Sequence, residues 1–224
     1  MLESIVLSWS GGKDSSLALQ MLRADPTVEV VALLTSVTAA YERVSIHGVR
    51  RVLLEAQAAS LGLPLVEIRL QPACSNADYE AAFQQGLATI RERFPAATEI
   101  AFGDLFLQDV RAYREQALVG SGFTPRFPLW GTPTAALAER FVGDGFVAHL
   151  VCVDTQQLDA SFAGRRYDDA LLADLPPAVD PCGERGEFHT FVSDGPIFAQ
   201  PIACDVGPVV LRDERFAFCD LLAR

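Results

Sequence analysis

Lysine occurs once in this chain, at position 13, against 17 arginines among the 18 basic residues. It sits in the run Ser10-Gly11-Gly12-Lys13-Asp14-Ser15. A strand that turns through glycines into a helix leaves backbone N–H groups pointing outward at the helix start. With the helix dipole behind them, those donors make a seat for a phosphate-like anion. Lys13 adds a full charge, and Ser10, Ser15 and Ser16 add short hydroxyl donors. Against a crowded triphosphate a compact ammonium fits better than a planar guanidinium. We read Ser10, Gly11, Gly12, Lys13, Asp14 and Ser15 as a nucleotide-phosphate cradle. The plain alternative is a glycine turn capped by Asp14 or Ser15, and the retention of the single lysine there weighs against it.

A second run, Asp180-Pro181-Cys182-Gly183-Glu184-Arg185-Gly186-Glu187-Phe188-His189-Thr190, collects three carboxylates, a thiol and an imidazole in eleven residues. Taken alone it reads as a solvated loop entering a strand. Cys182 and His189 are also metal-ligand types, but two ligands without a partner pair are a weak signal. Beside a phosphate loop, the sharper expectation is a lid that carries acid/base or Mg²⁺-ligating carboxylates into the nucleotide site.

These residues need a scaffold, and the apolar pattern supplies one. Residues 5–7, 28–34, 65–70 and 99–103 read as short buried strands, the near-continuous apolar run 28–34 being typical of a parallel sheet. Between them, residues 17–22, 49–56 and 79–94 carry apolar positions at helical spacing. The helix after Asp104 turns Leu107, Val110, Ala117 and Leu118 inward and leaves Asp109, Arg111, Arg114 and Glu115 elsewhere on its surface. Residues 146–153, ending in Asp154, read as the last core strand. This alternation predicts an α/β fold with a doubly wound, mainly parallel sheet. In such sheets ligands lie beyond the carboxyl ends of the strands, where Ser10, His47, Asp104 and Asp154 all fall. From residue 156 the texture turns to short strands broken by Gly and Pro. The expected division is a nucleotide-binding domain over 1–155 and a small β-rich lobe over 156–224.

Half of the 224 residues are apolar, enough for a substantial core, and no apolar run approaches the ~20 residues of a membrane span. The chain enters its first strand without a signal-peptide pattern, so the expectation is a cytoplasmic protein with no membrane partner. Cysteines 74, 152, 182, 204 and 219 are odd in number and form no Cys-x-x-Cys pair, against a disulfide framework or zinc ribbon. A net charge of −11 disfavours nucleic acid as a partner. ATP would bind against that mean field, so local donors and Mg²⁺ are expected to supply the attraction.

The glycine loop is not a Walker A motif, because Leu7 and Asp14 stand where that motif needs Gly and Ser or Thr. It resembles the PP-loop of the ATP pyrophosphatases, the adenine-nucleotide alpha-hydrolase-like superfamily. Further runs are similar to the diphthine–ammonia ligase (diphthamide synthase) family: Ser45-Ile46-His47-Gly48, Phe102-Gly103-Asp104 with Asp109 and Arg111, and Pro128-Leu129-Trp130-Gly131. The most specific is Gly183 through Thr190 running into Asp194-Gly195-Pro196. The resemblance covers nearly the whole chain. It implies an enzyme that adenylates a carboxylate with ATP, releases pyrophosphate, and lets ammonia or an amine displace AMP to leave an amide. It further implies ATP contacts at Ser10 to Ser15, Gly103 and His47, the last on the adenosine side. Lys13, Asp104, Glu184 and Glu187 would be catalytic, with Asp104 and Glu187 as Mg²⁺ ligands. Arg111, Cys182, His189 and Thr190 would face the acceptor, an unidentified carboxylate on a protein side chain or small molecule. Members that make diphthamide tend to carry an acidic residue where this chain has His189, which separates it from the diphthine substrate. A homodimer is compatible with all of this. Two other readings compete: a PP-loop enzyme that thiolates tRNA, and a non-catalytic adenine-nucleotide sensor.

Overall fold

The computed structural model describes residues 2–44 and 48–224. Strand β1 (Glu3–Ser8) forms the centre of a mainly parallel sheet. Its apolar triplet Ile5, Val6 and Leu7 is fully buried, and each such side chain contributes about 1.5–3 kcal/mol of burial. The period-two pleat divides them between two cores. Ile5 and Leu7 meet helix α1 (Lys13–Ala24) and helix α2 (Arg51–Leu61) on one face. Val6 meets Phe83, Leu87 and Ile90 of helix α3 (Asn76–Arg93) on the other.

Strand β2 (Val28–Thr38) pairs in parallel with β1, and its far side carries the antiparallel stub β3 (Arg43–Val44) and the parallel strand β4 (Leu65–Leu70). On the other side of β1 lies β5 (Ala97–Ala101), and beyond it β6 (Thr124–Arg126). The chain moves outward from β1 to β2 and β4, then returns to β5. The crevice between β1 and β5 is therefore the topological switch point, where doubly wound sheets bind ligands. Helix α4 (Gln108–Ala117) follows β5, and helix α5 (Thr134–Gly143) follows β6.

The rest is a second, antiparallel sheet of order β8-β7-β10-β9. It consists of β7 (Val147–Asp154), β8 (Phe188–Asp194), β9 (Cys204–Arg212) and β10 (Phe216–Ala223), with helix α6 (Asp169–Asp174) between β7 and β8. The strand expected at 146–153 is present but pairs with β8 and β10, not with the parallel sheet. Its residues Ala148, Leu150, Val151 and Val153 are buried because β7 is interior to its own sheet, and an apolar run does not say which sheet covers it. Asp154 consequently lies away from the sheet crevice. Arg215 donates to both its oxygens (2.9 and 2.6 Å) and holds the carboxyl well below the ordinary range. Among the described residues no helix is long and apolar enough to cross a membrane.

Candidate nucleotide site

The turn between β1 and α1 is built as its composition demands. Gly11 has φ of +80°, and a Cβ there would lie 2.7 Å from Leu54 Cδ1 and 2.8 Å from Gln57 Oε1. Both the dihedral and the space require glycine. Gly12 caps α1 with extended backbone, and its carbonyl accepts from Ser15 Oγ (2.9 Å) and Ser16 Oγ (3.0 Å). Ser10 and Ser15 hydroxyls are 3.3 Å apart across the turn mouth. A helix start leaves its first N–H groups without intrahelical partners; in α1, Ser16 N–H already closes onto the Gly12 carbonyl (3.1 Å).

Strand β8 clasps this turn from the second sheet. Lys13 N–H donates to Thr190 Oγ1 (3.0 Å), and Val192 N–H donates to the Gly11 carbonyl (2.9 Å). Gln57, fully buried on α2, ties the joint together. Its amide nitrogen donates to the carbonyls of Gly11 (3.0 Å) and Val192 (2.6 Å), and its oxygen accepts from Trp9 Nε1 (2.9 Å). Replacing Gln57 by Leu strands the indole N–H and the Val192 carbonyl in the core. Urea unfolding is expected to show a loss of about 2–4 kcal/mol; an unchanged midpoint would count against the clasp.

The clasp encloses a cavity of about 260 Å³ between the glycine turn, residues 102–104 at the end of β5, and the 182–190 segment. Of the residues singled out in the sequence, Ser10, Gly12, Lys13, Asp14, Ser15, Gly103, Asp104, Cys182, Glu184, His189 and Thr190 line it. Gly103 abuts the start of α1, where an added Cβ would meet the Asp14 carbonyl carbon at 3.1 Å and Ser15 N at 3.2 Å. A larger space of about 730 Å³ lies beyond β3, lined by Arg43, Asp220 and Phe218 among others, and contains none of these residues. Its Asp220 is already held by Arg43 and Arg50, which draw its carboxyl down to about 2.

Charge in the smaller cavity is unevenly committed. Lys13 is 2 % exposed, and its ammonium donates to both oxygens of Asp14 (2.7 and 2.8 Å). Burial disfavours the charged amine, but the charge of Asp14 and the hydrogen bonds to it more than offset this and raise the pKa of Lys13. Asp104 is raised by burial, and Arg114, whose Nε is 3.5 Å from its Oδ2, only partly opposes that. Glu184 accepts from Leu105 N–H (2.8 Å) yet is pushed up to about 7, chiefly by burial and secondarily by the charge of Asp14. Burial pushes the Cys182 thiol up to about 12, so at neutral pH it is a hydrogen-bond donor (3.3 Å to the Thr134 carbonyl) and no nucleophile.

Two expected side chains stand elsewhere, and Gly11, whose carbonyl is taken by Val192 and Gln57, is absent from the cavity wall. Glu187 is 2 % exposed, and its two oxygens accept from the N–H groups of Asp180 and Arg185, both at 2.9 Å. It fastens its own loop and is absent from the cavity wall. Arg111 lies outside the cavity, 4.8 Å from the ring centres of both Phe127 and Trp130 and 2.8 Å from Glu115. His47 lies outside the described residues. Conversely, Gln57 and Arg114 were missed. Gln57 had one legible sign, a large polar side chain on the apolar stripe Leu53, Leu54, Ala58 and Leu61.

For a divalent cation the fit is partial. Among the described residues no three His, Cys, Asp or Glu side chains converge as a binding group. Asp104 Oδ2 is buried without a hydrogen bond, so it fits as a single carboxylate ligand to a Mg²⁺ carried in by a nucleotide. Glu187, with both oxygens engaged, does not fit.

Two family models match the chain: the diphthamide synthase N-terminal domain over residues 2–123 and the diphthamide synthase C-terminal domain over residues 133–215. No curated protein matches it.

Proposed function

The chain belongs to the diphthamide synthase family, and from that premise we propose that it is an ATP-dependent, AMP-forming ligase that turns a carboxylate into an amide. The observation that carries this reading is the clasp of β8 on the glycine turn. It sets Glu184, a carboxyl poised near neutrality, in one cavity with the phosphate loop.

In this reading the N–H groups at the start of α1, the hydroxyls of Ser10 and Ser15, and Lys13 hold the β and γ phosphates. An acceptor carboxylate oxygen attacks the α-phosphorus, the bond to the bridging oxygen breaks, and pyrophosphate leaves. A carboxylate resists ammonia because its oxygen is a poor leaving group, and the acyl adenylate replaces that oxygen with AMP. Ammonium gives a proton to the Glu184 carboxylate, and the ammonia formed attacks the acyl carbon. As the acyl C–O bond breaks, the nitrogen passes its surplus proton to the departing AMP phosphate or to water, leaving the amide. Such chemistry needs positioning and charge neutralisation more than a protein nucleophile, consistent with the buried, high-pKa thiol of Cys182. Magnesium enters as part of the nucleotide substrate, and Asp104 is the residue that would meet it. Glu187 is assigned to holding the 180–187 loop in shape. Thr190 and His189 stand where β8 passes the cavity, and His189 is the residue we place toward the acceptor.

Product analysis tests the reading. Incubation with ATP, an ammonium salt and a panel of carboxylic acids is expected to yield AMP and pyrophosphate in equal amounts with at least one acid. Exclusive formation of ADP and phosphate, or failure to bind ATP, would overturn it.

A further inference from the structure

Helix α4 carries two arginines on its half-buried side, one turn apart, and they are not equivalent. Arg111 lies against the rings of Phe127 and Trp130, and its Nε donates to Glu115. Arg114 lies over the Phe102 ring, 5.1 Å from its centre, and borders the cavity. Its Nε is buried and makes no hydrogen bond, and neither does Asp104 Oδ2, which faces it at 3.5 Å. Buried polar groups are nearly always hydrogen-bonded, and this ion pair, held at 3.5 Å without a hydrogen bond, offsets only part of the cost of burying both groups.

The charge balance of the wall sharpens the point. Asp14, Asp104 and Glu184 are its carboxylates, Lys13 and Arg114 its cations. The ammonium of Lys13 is taken up by both oxygens of Asp14. A polyphosphate entering here meets three acids. Lys13 keeps one N–H beyond the two given to Asp14, and the Arg114 guanidinium, with its Nε unbonded, is the second cation on the wall. A guanidinium seated over an aromatic ring keeps a planar fork of donors suited to phosphate oxygens.

We propose that Arg114 is a polyphosphate ligand of the nucleotide site, with Phe102 as the plate that orients it and Asp104 as the partner it holds loosely before nucleotide arrives. The proposal rests on the ATP-using reading given above. It assigns to Arg114 the terminal phosphates of ATP and, after cleavage, the pyrophosphate.

Calorimetry with ATP, inorganic pyrophosphate and adenosine as separate titrants tests it on the full chain. Arg114→Gln is expected to weaken ATP and pyrophosphate roughly ten- to a hundredfold, the range of a charge-assisted contact, and to change adenosine less than about twofold. Arg114→Lys keeps charge and stem but loses the fork, so its loss should be intermediate; it also carries the test should the glutamine variant fail to fold. ATP and pyrophosphate affinities within about twofold of wild type in either variant would overturn the proposal. So would an equal weakening of adenosine, which would mark Arg114 as structural. Wild-type protein that binds no ATP would remove the ligase reading and this proposal together. Wild-type protein that makes AMP and pyrophosphate, with Arg114→Gln binding normally, would remove the Arg114 assignment alone.

Discussion

Glu184→Gln is expected to make the folded chain more stable at pH 8 and nearly inactive. The wild-type carboxyl ordinarily titrates near 4.5, and in the cavity it rises to about 7 because burial and the neighbouring charge of Asp14 penalise its ionised form. Between those two values the folded protein holds a proton that the unfolded chain has released. Stability therefore falls as pH rises through this window, by less than the ~3.4 kcal/mol of the full shift because the carboxyl is partly exposed and solvent screens it. Glutamine cannot ionise, and its side-chain oxygen can still accept from Leu105 N–H. The two proteins should converge below pH ~4.5 and separate progressively up to pH ~7. Urea unfolding at several pH values reads this directly, and identical pH slopes would remove Glu184 from its assigned environment. Loss of the base should lower amide formation by roughly 10²- to 10⁴-fold. The wild-type rate should rise with pH through about 7, a limb that the variant lacks.

The contrast explains why the sequence exposed some of this site and hid the rest. The glycine turn was legible because its constraints are local: Gly11 needs a positive φ, and the run of donors around Lys13 has few other uses. The alternating strands and helices of the parallel sheet were legible for the same reason, since buried triplets such as Ile5, Val6 and Leu7 announce themselves. The partners of β7 did not, because a strand interior to either sheet carries the same apolar pattern. Glu187 and Glu184 sit three residues apart in one loop and look interchangeable. Only the fold shows that one has spent its oxygens on backbone N–H groups while the other keeps a face toward the cavity. Arg114 was invisible for a different reason. Charged residues on a helix default to solvent, and what turns this one inward is the Phe102 ring at the end of a strand that precedes it.

Lys13 is expected to be both a structural anchor and a nucleotide ligand, and a mutant cycle with Asp14 separates the two. Lys13→Met leaves Asp14 partly buried without its cation, and Asp14→Asn leaves an ammonium that is 2 % exposed beside the Phe188 ring. Breaking one side of such a pair costs about 3 kcal/mol or somewhat more. Removing both sides together should cost much less than the sum, because no uncompensated charge remains, giving a coupling of roughly 2–3 kcal/mol in unfolding measurements. ATP binding should divide differently. Lys13→Met and the double variant should both bind ATP about a hundredfold more weakly, since each lacks the charge that meets the phosphates. Asp14→Asn, which frees the ammonium from a competing carboxylate, should bind at least as tightly as wild type. A double variant of near-native stability that also binds ATP normally would show that the lysine serves only to neutralise Asp14. The phosphate-cradle reading would then lose its cation.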